Sequence, residues 1–148
     1  MQLSQKCQYG LRAIFELALR DGSGPVRAVD IAEAQAVPHR FLEVILNQLK
    51  QAGFVDSRRG AAGGYGLARS PKDLTLGEVI RFFEGPLQPV TCVTGHAEDK
   101  CPLYGDCVFL EVWAEAEKAM SEVFDRATFQ DLVDRQRRKG VSAAAYSI

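Results

Sequence analysis

No apolar run in this sequence approaches the length needed to cross a bilayer. The opening residues, Met1-Gln-Leu-Ser-Gln-Lys, lack the basic-then-apolar layout of a signal peptide. The expectation from these absences is a soluble, cytoplasmic protein with no membrane partner. The sequence has no Cys-x-x-Cys pair, no phosphate-binding glycine loop and only two histidines. A thiol enzyme therefore has little to work with, and no enzymatic activity is expected. There is no internal repeat, and no low-complexity segment outside the last nine residues.

Strong net charge is missing too. The formal value of -1 speaks against a uniformly basic nucleic-acid binder. The average conceals an asymmetry, however: residues 1–73 carry ten Lys/Arg against seven Asp/Glu, net +3, and residues 74–148 carry eight against twelve, net -4. At 148 residues, 47% hydrophobic and 25% charged, the chain has the composition of a globular protein and room for a small domain with an oligomerisation arm.

What the sequence does have is a series of well-punctuated helices. Leu3, Cys7, Leu11, Ile14 and Ala18, with Gly10, Ala13 and Leu17 beside them, predict a first helix that Asp21-Gly-Ser-Gly-Pro25 closes. Cys7 falls on its apolar stripe, where a small thiol fills a core site. A short helix around Val29–Ala36 and a turn through Val37 lead to Pro38, expected at the first position of a third helix that stops at Gly53. Phe41, Leu42, Ile45, Leu46 and Leu49 are its expected core face. His39, Arg40, Glu43 and Asn47 are left outward, where polar groups can meet base edges.

After Gly53 the period becomes extended. Phe54–Arg59 and Tyr65–Ala68 flank Gly60-Ala-Ala-Gly63-Gly64, a hairpin with a glycine-rich tip. Helices followed by a basic hairpin make a winged helix-turn-helix. Arg58 and Arg59 are then expected near phosphates or in a narrow minor groove, with Gly63 and Gly64 letting the wing backbone come close to DNA and Tyr65 beside them as a further expected DNA-binding residue. Thr75-Leu-Gly-Glu78 is a capping box opening a fourth helix that ends near Gly85-Pro86.

The pattern Phe109, Val112, Trp113, Ala116, Met120, Val123, Phe124 and Ala127 predicts a long amphipathic helix that needs a partner surface, its own head or a second copy. Thr128-Phe-Gln-Asp131 restarts a short helix through Leu132 and Val133. Arg135, Arg137, Arg138 and Lys139 close it by offsetting the helix dipole, or touch DNA. The fold class is thus mainly α with a small β-hairpin wing, a winged helix-turn-helix head plus a long dimerisation helix. The expected organisation is a DNA-binding domain over 1–85, a cysteine-bearing sensor loop over 86–107, the dimerisation helix and a C-terminal helix over 108–138, and a mobile tail over 139–148.

Three stretches carry a family resemblance: Leu3-Ser-x-Lys-x-x-Tyr-Gly-Leu-Arg12-Ala, Leu46-x-x-Leu49-x-x-Ala-Gly-Phe-Val-x-Ser-Arg-Arg-Gly60, and Gly63-Gly-Tyr-x-Leu-Ala-Arg69. From Leu3 to about Phe124 the chain resembles the Rrf2 family of IscR/NsrR-type regulators. The Arg-Gly-x-x-Gly-Gly-Tyr wing is the most specific part of the match. The resemblance implies a homodimeric winged-helix transcription regulator, often holding an iron-sulfur cluster, that binds a double-stranded DNA operator and senses redox, nitric oxide or iron-sulfur status.

Cys92, Cys101 and Cys107 lie within sixteen residues. In a reducing compartment clustered thiols bind metal or respond to oxidants more often than they form structural disulfides. A [2Fe-2S] cluster needs one further donor; His96 in the same loop is the nearest, and Cys7, Glu98, Asp99 or a partner residue are alternatives. The eight residues between Cys92 and Cys101 exceed the spacing in cluster-binding members of the family, whereas the five between Cys101 and Cys107 match it. Zinc on three thiolates and His96 is the competing metal site. Control by thiol oxidation or a partner protein, without a cluster, is the other alternative. In the cluster reading the loaded loop fixes the relation between the fourth helix and the long helix, and with it the spacing of two heads.

Overall fold

The computed structural model describes residues 2–94 and 101–145. Six helices and one hairpin follow in the order α1 (Gln5–Leu19), α2 (Ala28–Gln35), α3 (His39–Gln51), β1 (Val55–Arg58), β2 (Gly64–Leu67), α4 (Leu76–Glu84), α5 (Leu110–Arg126) and α6 (Phe129–Ala145). A 3-10 turn spans Thr91–Thr94.

Apolar periodicity and capping together set the head. Ser4 caps α1 by accepting the Cys7 N–H at 3.1 Å. Ala13, Ile14, Leu17 and Ala18 then face Ile31 and Ala32 of α2 and Leu42, Ile45, Leu46 and Leu49 of α3, all buried in one cluster. Between α2 and α3 the turn runs through Ala36, the one non-glycine residue among the described residues with a positive φ, at 51°. Pro38 stands just before the first turn of α3, at the cap, one position earlier than the sequence suggests.

The hairpin is antiparallel, with Ser57 opposite Tyr65 and Arg58 opposite Gly64. Val26 adds a third, single-residue rung: its N–H donates to the Tyr65 carbonyl and the Tyr65 N–H donates back, both at 2.8 Å. The wing is therefore tied to the segment before α2.

The Thr75/Glu78 capping box is formed in both directions and opens α4. Where the chain turns into α6, Asp131 mirrors it: the Thr128 hydroxyl and N–H both donate to the Asp131 carboxylate, and the Asp131 N–H donates to the Thr128 hydroxyl. The two caps sit side by side, because the Leu76 N–H donates to the Ala127 carbonyl and the Phe129 N–H to the Leu74 carbonyl.

Two expectations are corrected. Phe41 is not a core residue; at 47% exposed it lies on the flank of α3, with the Arg40 guanidinium 4.7 Å over its ring. α6 is not a short helix ending at the basic run: it continues to Ala145, through much of the stretch expected to be a tail, so Arg135, Arg137, Arg138 and Lys139 are exposed mid-helix cations rather than a terminal group. Beyond Gly140 nothing in Val-Ser-Ala-Ala-Ala145 breaks a helix, and alanine favours one. The start of α6 packs into the head, where Phe129 and Val133 are buried with the residues of α1 and α3.

Candidate nucleic-acid interface and cysteine loop

With Leu42, Ile45, Leu46 and Leu49 inward, the opposite side of α3 presents Arg40, Glu43, Val44, Asn47 and Gln51, all exposed. His39 is exposed beside Glu43, its Nε2 4.0 Å from the carboxylate. The expected outward set is thus gathered on one surface. Val44 belongs to it as well, four residues after Arg40 and three before Asn47, and the sequence reading passed over it. Helical spacing alone could have placed it there.

On the wing, Arg58 and Arg59 are exposed and free of acidic partners among the described ion pairs. The glycines answer a local need. A Cβ at Gly63 would collide with the Arg58 carbonyl, and one at Gly64 would lie 2.5 Å from the Val26 carbonyl oxygen. Gly60 turns the tip with φ +106°. Tyr65 is half-buried, its backbone bridged to Val26 and its ring packed against the head core. Its place is to seat the wing.

The cysteines divide into two groups. Cys7 is wholly buried with Ile80 and Leu87. Burial, then the Glu84 charge, then a hydrogen bond to Glu84 push its thiol up to about 12. A thiolate ligand at this position would have to overcome all three effects. Cys92 lies in the 3-10 turn against α5, and Cys101 and Cys107 bracket a run of turns before α5; all three are free and half-buried. Among the described residues no group of three or more His, Cys, Asp or Glu is gathered to hold a metal ion. His96, Glu98 and Asp99 lie outside the described residues.

Two polar links join the loop's neighbours to the head. Arg81 on α4 holds Asp125 on α5 through two hydrogen bonds, at 2.5 and 2.9 Å. Gly77 leaves room for this pair, since a Cβ there would overlap the Asp125 carboxylate. Glu84, near the end of α4, accepts from both the hydroxyl and the N–H of Ser4 at the start of α1.

The apolar side of α5 is split. Met120 and Phe124 pack against the Cys7, Ile80 and Leu87 cluster, whereas Val112, Ala116, Ala119 and Val123 are exposed on the adjoining stripe. No helix among the described residues is long and apolar enough to cross a membrane.

Comparison with known proteins agrees with this architecture. The family described as "Rrf2: Iron-dependent Transcriptional regulator" matches residues 3–135. The HTH-type transcriptional regulator CymR of Bacillus subtilis is 38% identical over 132 residues, covering 89% of each chain. The solved structure of CymR, described as the global cysteine regulator of B. subtilis, superposes with a TM-score of 0.77 at 36% identity, over 91% of this chain and 98% of that one. That of T. potens IscR gives 0.71 at 37% identity, over 92% and 88%. A hairpin seated on a three-helix head, matched over nearly its whole length by such proteins, has one reading: the chain belongs to the Rrf2 family of helix-turn-helix transcription regulators.

Proposed function

We propose that the chain is a homodimeric, sequence-specific regulator that lays α3 in the major groove of operator DNA, rests its wing on the adjoining backbone, and answers to redox, nitric oxide or iron-sulfur status through its loop thiols. The observation that carries the DNA reading is the outward row of α3 beside an unpaired basic wing. Arg40 suits guanine O6 and N7, Asn47 suits adenine, and Glu43 accepts from cytosine N4. His39 adds a further donor at the start of the helix. Arg58 and Arg59 meet phosphate or a narrow minor groove.

The exposed stripe on α5 supports the dimer. Val112, Ala116, Ala119 and Val123 recur at intervals of four, three and four, the spacing of a helix-helix seam. Two heads related by a dyad then read half-sites about one helical turn apart, roughly 34 Å.

For the sensor, we propose a [2Fe-2S] cluster on Cys92, Cys101 and Cys107 with His96 or Cys7 as fourth ligand. The donor chemistry suits it, since all three loop thiols are free, and the family's description as iron-dependent favours it. The described residues alone do not gather into a metal site. In a second reading the same thiols act by oxidation, by binding zinc, or by engaging a partner protein; what supports the oxidation arm is that a relative, the CymR of Staphylococcus aureus, is known in an oxidised form. The DNA-reading surface is common to both.

Anaerobic purification with visible absorption and iron, sulfide and zinc analysis separates them. Brown protein with equal iron and sulfide supports the cluster, one zinc per chain the zinc site, and neither the thiol or partner route. For the DNA surface, Arg59→Ala is expected to weaken operator binding and reduce the salt slope by about one. Unchanged affinity at low and moderate salt would remove Arg59 from the contacts.

A further inference from the structure

Along the centre of the outward face of α3 run Arg40, Val44, Asn47 and Gln51, at intervals of four, three and four. Three of these can hydrogen-bond base edges and one cannot. Val44 is 58% exposed, and it lines a shallow apolar groove between α1 and α3 with Phe41 and Tyr9. Val44 belongs to neither buried core cluster. It adds little to the core, and a β-branched residue at an open helical position is less favourable than the straight-chain residues that usually occupy such sites.

In a major groove the apolar feature of a base edge is the thymine C5-methyl group, presented beside the acceptors and donors that Arg and Asn read. Resting on the DNA reading above, we infer that Val44 is a specificity-determining residue that packs on a thymine methyl, flanked by the bases that Arg40 and Asn47 engage. Val44 thereby requires a thymine in each half-site. A hydroxyl or amide at this position would instead seek a hydrogen bond and relax the requirement. Phe41 and Tyr9 continue the apolar surface of Val44 toward α1, with Gln5 and Lys6 at the edge of the same groove.

The test uses the full chain and duplexes enriched by it from a random library. Each thymine in one half-site is replaced singly by deoxyuridine, which removes the methyl and leaves the pairing intact. One replacement is expected to weaken wild-type binding about fourfold, the effect of one buried methyl-sized group. In Val44→Ala, which keeps an exposed helical site filled by a good helix former, the same replacement is expected to change nothing. Wild-type binding that is indifferent to every deoxyuridine would overturn the inference while leaving operator recognition standing. Equal losses in wild type and Val44→Ala would assign the methyl to another residue and overturn it too. If no sequence is enriched at all, the DNA reading itself falls, and the role of Val44 with it.

Discussion

Burial separates Cys7 from the other three thiols. Only the thiolate reacts readily, and at neutral pH the Cys7 proton is held by an apolar pocket and by Glu84. Native protein stripped of any metal is expected to react quickly with a disulfide reagent at three cysteines, Cys7 following only after unfolding; four fast thiols would show that the pocket opens. Asp125 carries a second residue-scale consequence. The hydrogen bond from Arg81 holds its carboxyl below the usual carboxylate range, and Ser4 does the same for Glu84. A carboxylate with a lowered folded pKa contributes stability that is fully present above its unfolded value, about 4, and is lost as pH falls through the folded value. The melting temperature of the wild type should therefore drop more steeply on acidification below about pH 4 than that of Asp125→Asn. Parallel curves would remove the Arg81–Asp125 pair from the acid response. Because Asp125 is about half exposed, solvent limits the size of the effect.

At the scale of elements, α6 is where the sequence said least. The Thr75/Glu78 box and the polar outer row of α3 were legible because each is local: a cap spans four residues, and a face follows from 3.6-residue periodicity. The Thr128/Asp131 cap was legible for the same reason. What Phe129 does was not, since its partners come from α1 and from the turn before α4, far away along the chain. Phe41 was misplaced by the converse effect: an aromatic residue on a helix flank satisfies the apolar pattern, yet its neighbour is Arg40 and not the core. The wing was legible in outline, whereas its bridge to Val26 depends on tertiary contact. Phe129→Ala is expected to cost about 3–5 kcal/mol, as for other buried aromatic truncations. Because Phe129 lies in the same cluster as α1–α3, the loss should appear as cooperative destabilisation of the head, read by denaturant unfolding. A separate early transition confined to α6, with the head unchanged, would contradict its place in the core.

For the whole molecule, the division of α5 into a head-facing stripe and an exposed one decides how two copies would meet. Met120 and Phe124 are already engaged, so a partner has Val112, Ala116, Ala119 and Val123 to cover. Val123→Glu puts a charge into that seam without touching the head core. It is expected to shift the chain toward monomer in sedimentation while leaving its helical content intact, and to weaken operator binding because the two half-sites are no longer held together. A variant that sediments as wild type would contradict this stripe as the seam of the proposed dimer.

The side-by-side caps at Thr75 and Thr128 give this architecture a further property. The backbone entering α4 pairs with the backbone entering α6, so the two ends of the stretch 76–127 are pinned to each other. Closing a flexible loop costs only about 0.6 kcal/mol more for each doubling of its length. The cysteine-bearing segment within this stretch can therefore gain or lose residues while both attachment points stay in register. In this sense it is an exchangeable cassette: on the proposed reading, what the segment detects is retunable without rebuilding α3 or the wing.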